Sequence, residues 1–118
     1  MFSINNAGTI RLTRGDSGEF LYKINIGDNM SPMFYQLNEN DELFLGIMEP
    51  NQPFESAIIR KYFRSNDMDE NGNVKISFKP NDTVCLMPGL YYYQLKLVDV
   101  TQNIVRTLNP KTQLWIEE

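Results

Sequence analysis

The stretch Tyr91-Tyr92-Tyr93-Gln94-Leu95-Lys96-Leu97 decides the fold. Side chains of an extended strand point alternately to opposite faces, so Tyr91, Tyr93, Leu95 and Leu97 share one face while Tyr92, Gln94 and Lys96 share the other. The run therefore predicts a long strand with one face in a core. Three adjacent tyrosines also suggest a stacking platform for sugars or bases, but the alternation assigns Tyr91 and Tyr93 to the core and leaves only Tyr92 outside.

Upstream of this strand the same period recurs. Val74, Ile76 and Phe78 alternate with Lys75, Ser77 and Lys79, the clearest amphipathic strand in the chain. Between the two lie Pro80-Asn81-Asp82-Thr83 and Leu86-Met87-Pro88-Gly89, both turn-rich. Ala57 to Arg64 has an ambiguous period, because Phe54, Ala57, Ile58 and Tyr62 also fit a helical face; it is read as a strand from Ile58, Ile59, Tyr62 and Phe63, and is expected to form a hairpin with the strand at Val74. Glu42 to Met48 is apolar on both faces, which fits a central strand or one with a sticky outer face, and Gly46 within it points to a bulge or a close approach.

Nearer the N-terminus, Ile10 and Leu12 define a first strand, and Phe20, Tyr22, Ile24 and Ile26 a second, with Gly15-Asp16-Ser17-Gly18 as the hairpin turn between them. Downstream, Thr101 to Asn103 turns the chain into Ile104 to Leu108, and Leu114-Trp115-Ile116 makes the last strand. Trp115 points away from the core by alternation. Short strands at regular spacing, with no long helix, predict an all-β, antiparallel β-sandwich of about seven to nine strands. The 118 residues are one domain's worth of chain, and residues 1–8 are expected to be a loose N-terminal segment.

Composition narrows function mainly by exclusion. The chain has no histidine, which removes Ser-His-Asp triads, Cys-His pairs and histidine-ligated metals. Its single Cys85 cannot form an internal disulfide and is expected to be a small buried side chain. Fifteen acidic against eleven basic residues, a net charge of -4, weigh against nucleic-acid binding. No apolar run is long enough to span a membrane, and no leader pattern is visible at Met1 to Gly8.

Three motifs carry a chemical suggestion. Arg14-Gly15-Asp16 matches the integrin-binding tripeptide, but Gly and Asp are default turn residues and a turn is the expected role. Asp67-Met68-Asp69-Glu70-Asn71-Gly72 matches the opening of an EF-hand loop, yet position twelve is Phe78 where a bidentate glutamate is needed, so a polar hairpin loop is expected. The acids concentrate in loops such as Asn38 to Glu42 and Asp67 to Glu70, where solubility is their expected role, and sequence spacing discloses no glycosidase-type pair. Catalytic, cofactor and metal sites are all expected to be absent.

The order of these features resembles the N-terminal immunoglobulin-like domain of the baseplate upper protein of phages and prophages of Gram-positive bacteria. The resemblance rests on Ile10-Arg11-Leu12-Thr13-Arg14-Gly15-Asp16-Ser17, on Pro80-Asn81-Asp82-Thr83, on Leu86-Met87-Pro88-Gly89 running into Leu90 to Leu97, and on Thr107-Leu108. It spans about residues 9 to 117, and departs from the family at Asn109-Pro110-Lys111, where a glycine is usual. It implies an immunoglobulin-like sandwich and a non-enzymatic virion part that docks a host-adhesion device onto the tail. Its partners would be other tail proteins and further copies of itself, located in the virion or in the cytoplasm of a prophage-bearing cell. The other reading of the residues is a carbohydrate-binding sandwich in which Tyr92, Trp115 or the loops contact cell-surface glycans.

Overall fold

The computed structural model describes residues 1–28 and 30–118, and shows an all-β sandwich. Among the described residues there are nine strands: β1 (Phe2–Ile4), β2 (Ile10–Thr13), β3 (Gly18–Lys23), β4 (Asp41–Met48), β5 (Ile59–Phe63), β6 (Asn73–Phe78), β7 (Gly89–Asp99), β8 (Ile104–Thr107) and β9 (Thr112–Glu117). The larger sheet has the order β1-β2-β9-β7-β4-β5, with β8 also on β7; the smaller is β3 paired with β6.

The core lies between the sheets where the alternation places it. Leu43, Leu45 and Ile47 of β4, Tyr91, Tyr93, Leu95 and Leu97 of β7, and Leu114 and Ile116 of β9 face Val74, Ile76 and Phe78 of β6. Ile24 joins them from just beyond β3. Leu21, on the opposite side of β3, is exposed. Burying such apolar side chains is the main force holding the two layers together.

Pairing departs from expectation in four places. First, the larger sheet is mixed, because β2 lies parallel to β9, with Ile10 beside Leu114 and Leu12 beside Ile116. Second, residues 1–8 are not loose: β1 pairs antiparallel with β2, and the Phe2 ring stacks on Phe20 with centroids 6.2 Å apart. Third, β2 and β3 form no hairpin. With β1 and β9 on its two edges, β2 has no edge left for β3, and the Gly15 N–H donates to Thr83 Oγ1 (2.9 Å) as the chain crosses to the other sheet. Fourth, β5 and β6 are not hairpin partners, since β5 pairs with β4 and β6 with β3. A 3₁₀ turn at Ser65–Asp67, with the Asp67 carboxylate accepting the Arg64 N–H (2.8 Å), carries the chain between layers. Of the expected hairpin only the tip remains, a single bridge from Met68 to Val74.

Between β6 and β7 the chain makes one helical turn, α1 (Pro80–Thr83). Proline stands first, where no N–H is needed, and the Asp82 carboxylate accepts the Lys79 N–H (2.7 Å). Thr83 is fully buried because its hydroxyl serves Gly15. The turn that follows presents Cys85 to solvent, correcting the expectation of a buried thiol. The Tyr91 hydroxyl then donates to the Met87 carbonyl (2.8 Å), fastening this corner to the start of β7.

The strand opposite β7 is interrupted. β9 pairs with its first half and β8 with its second, and at the break the Asn109 side chain accepts the Leu95 N–H (2.7 Å) that a backbone carbonyl would otherwise take. All four β8 residues are exposed.

Candidate interaction surface

The outer face of the larger sheet can be read from its registers. Across it run the rows Arg11, Trp115, Leu90; then Gln113, Tyr92, Met48; then Gln94, Gly46, Arg60; then Thr107, Lys96, Phe44, Tyr62; and finally Val105, Val98, Glu42. The two-faced β4 is therefore central, as its apolar pattern predicted, and its outer side is covered in part by the chain itself. Residues 49–57 lie over the middle rows. Phe54, in the 3₁₀ turn Phe54–Ser56, sits on Gly46 so closely that a Cβ there would come within 2.6 Å of its ring. Lys96 Nζ lies 4.6 Å from the centroid of the same ring, and Lys111 Nζ donates to the Gln52 carbonyl (2.6 Å), tying the far end of the segment down. Met48, beside Tyr92 on the same face, is completely buried.

Beside β5 the face stays open, as it does at Val105 on β8. Phe44 and Tyr62 meet edge to face with centroids 4.5 Å apart, and with Phe54, Glu55 and Arg60 they line a hollow of about 190 Å³. Tyr62 is 55% exposed, and Ile58 at the head of β5 is exposed as well. This is an aromatic hollow with one acid and one base on its rim, a composition suited to a protein contact.

The remaining sequence candidates are largely occupied within the domain. Asp16 of the Arg-Gly-Asp turn pairs with the Met1 amino group, and the Arg14 Nη1 reaches the Leu86 carbonyl, so the tripeptide is packed against the corner after α1. In the Asp67 to Gly72 loop, Asp69 Oδ1 accepts the N–H groups of Asn71 and Asn73 (2.9 Å each), and Gly72 holds the positive φ the turn requires. Tyr91 and Tyr93 are buried and Tyr92 lies on the outer face, half-buried. The Trp115 ring carries the Arg11 guanidinium 5.4 Å from its centroid, which takes up one side of the indole.

A second hollow escaped the sequence reading. Asp41 and Asp99 are direct cross-strand neighbours, and with Tyr35, Gln102, Ile104 and Arg106 they line a cavity of about 170 Å³. Asp41 is 1% exposed, a correction to the solubilising role expected of the Asn38 to Glu42 acids, and its meeting with Asp99 is one that residue spacing does not disclose. Both carboxylates are spent on local structure. Asp41 Oδ2 accepts the Tyr35 hydroxyl (2.6 Å) and the Asn38 N–H (2.9 Å), while Asp99 Oδ1 accepts the N–H groups of Thr101 and Gln102. The hydrogen bond to Asp41, with burial, pushes the Tyr35 phenol up to about 12. Register between strands distant in sequence makes this cluster, and residue spacing carries no trace of it.

No family model, curated protein or solved structure matches this chain.

Proposed function

We propose that the chain is a non-enzymatic structural domain of a phage or prophage tail, working through protein contacts and self-association. The observation that carries the contact reading is the Phe44 and Tyr62 hollow, an aromatic site left open on a sheet face whose middle rows are covered by residues 49–57. The tail assignment rests on the sequence resemblance, and two features of the fold support its immunoglobulin-like part. β3 pairs with β6 while β4, β7 and β9 share the other sheet, as strands B and E, and C, F and G, do in that fold. The back-bond from Tyr91 to Met87 stands where such sandwiches carry their tyrosine corner.

The test is solution mass by light scattering over a concentration series, on the wild type and on Tyr62→Glu. A defined oligomer that Tyr62→Glu dissociates supports the reading. A wild type that stays monomeric at every concentration counts against self-association through this face.

A further inference from the structure

We infer that the cleft between β5 and β6 receives an extended segment of another protein with a carboxylate at every second residue. The inference rests on the protein-contact reading for its premise that this side of the molecule meets a partner, and supplies the partner's chemistry.

Two independent features meet at the cleft. The first is charge. Arg60, Lys61, Lys75 and Lys79, four of the chain's eleven basic residues, line an open cleft of about 310 Å³ in a protein whose net charge is -4. Their neutralisation is incomplete. Lys61 pairs with Asp82 (2.8 Å), and Lys75 lies 3.7 Å from Glu19 with both side chains well exposed, a contact of little strength. Among the described residues Arg60 donates to the Glu55 carbonyl alone, and Lys79 makes no ion pair, although its charge acts on the Asp82 carboxylate that its N–H holds. The second feature is backbone. Among the described residues β5 has β4 as its only strand neighbour and β6 has β3, so each leaves one edge free of a strand, although the Met68–Val74 bridge closes the start of the β6 edge. On β6 the Asn73 carbonyl accepts the Asp69 N–H, which identifies the side facing away from β3. Lys75 and Ser77 follow at intervals of two, and their N–H and C=O groups face the same way.

Between the Met68–Val74 bridge at one end and the Lys79 N–H, which Asp82 takes, at the other, the β6 edge around Ser77 is left to receive another strand, and the side chains of Lys75, Ser77 and Lys79 stand on one face beside it. A segment added there aligns every second side chain with those lysines, and carboxylates at that period answer the charge. A second copy of this chain is a poor source. Its own edge strands β1, β5, β6 and β8 contain no carboxylate, and β3 has one, Glu19, against one lysine, Lys23.

The experiment is fluorescence anisotropy with a labelled peptide, Thr-Glu-Val-Glu-Val-Glu-Thr, on the wild type and on Lys75→Glu/Lys79→Glu. The variant's fold is checked by circular dichroism. At low salt the wild type should bind, and the double variant should bind on the order of tenfold more weakly, as should the wild type in high salt. A peptide of the same sequence, N-methylated at every amide, should lose binding on a similar scale because it has no N–H left to donate to a strand edge. No binding of the unmodified peptide overturns the inference. Equal binding of the methylated peptide overturns strand addition, and tighter capture of inorganic polyphosphate than of the peptide assigns the cleft to a phosphate ligand instead. Light scattering reads the self-association reading separately, so either can fail alone.

Discussion

Replacing Gly46 with alanine should evict Phe54 from the sheet. The added Cβ would stand 2.6, 3.0 and 3.1 Å from three atoms of the ring, closer than carbon atoms approach without displacement, and the backbone of a central strand cannot retreat. The ring must therefore swing outward. Phe54 is half-buried, so the apolar burial lost is about 1 to 1.5 kcal/mol, roughly half that of a fully buried side chain. The contact with Lys96 contributes about 0.5 kcal/mol more at a partly exposed site. The sum is about 2 kcal/mol, which lowers the Tm by about 8 °C, since unfolding entropy for a chain of this length is roughly 0.25 kcal/mol per degree. Urea and thermal unfolding of Gly46→Ala, Phe54→Ala and the double variant make the assay. If eviction of the ring is the mechanism, Gly46→Ala costs little once Phe54 is gone, and the coupling is about 2 kcal/mol. Equal costs of Gly46→Ala in the two backgrounds would refute this reasoning.

Tyr91→Phe keeps the ring and removes the hydroxyl that reaches Met87; it should cost about 1 kcal/mol in urea unfolding, and an unchanged midpoint would deny the corner any role in stability. Burial, with the neighbouring Tyr22, pushes Tyr93 up to about 12, burial does the same to Tyr22, and the Asp41 hydrogen bond to Tyr35. These folded values lie above the ordinary value near 10, so their stabilisation is complete below about pH 10 and is lost as pH rises toward about 12. Near pH 11 the folded protein should show markedly less phenolate absorbance than the urea-unfolded chain, and equal absorbance would contradict the assignment. At the acid end, burial works to raise the Asp82 carboxyl, but the Lys61 ion pair and the Lys79 N–H outweigh it and hold the group below its usual value. Its contribution is present above about pH 4 and disappears as pH falls through the depressed value. Lys61→Met should therefore lower stability at neutral pH more than in acid, and a loss independent of pH would exclude the ion pair as the cause.

The strands were legible where one face is buried and the other wet, as in β3, β6 and β7, because a period of two then has only one explanation. Partner choice was not. β5 and β6 read as a hairpin because a short polar loop joins them, yet such a loop serves a crossing between layers equally well, and the carboxylate of Asp67 steers it. The parallel contact of β2 with β9 joins opposite ends of the chain and leaves no local signal. The apolar outer side of β4 was visible in Phe44 and Met48, and so was the close approach at Gly46. Its cover was not, because Asn51 to Pro53 reads only as punctuation, and nothing in the spacing says that Phe54 lands on Gly46. The Asp41 and Asp99 hollow depended on register alone. Cys85 was misjudged because a general tendency of thiols to be buried says nothing about a turn whose inward position already belongs to Thr83.

The interruption between β8 and β9 leaves β8 held to β7 alone, the outer arm of a hairpin whose inner arm belongs to the core. Asn109 closes the ladder below it, none of its four β8 side chains is buried, and its tip at Val100 to Asn103 is exposed. Chain length can therefore be added at that tip without disturbing the two layers. For anyone wishing to display a foreign loop, epitope or fluorophore on this domain, it is the natural point of attachment, on the far side of the larger sheet from the β5 edge.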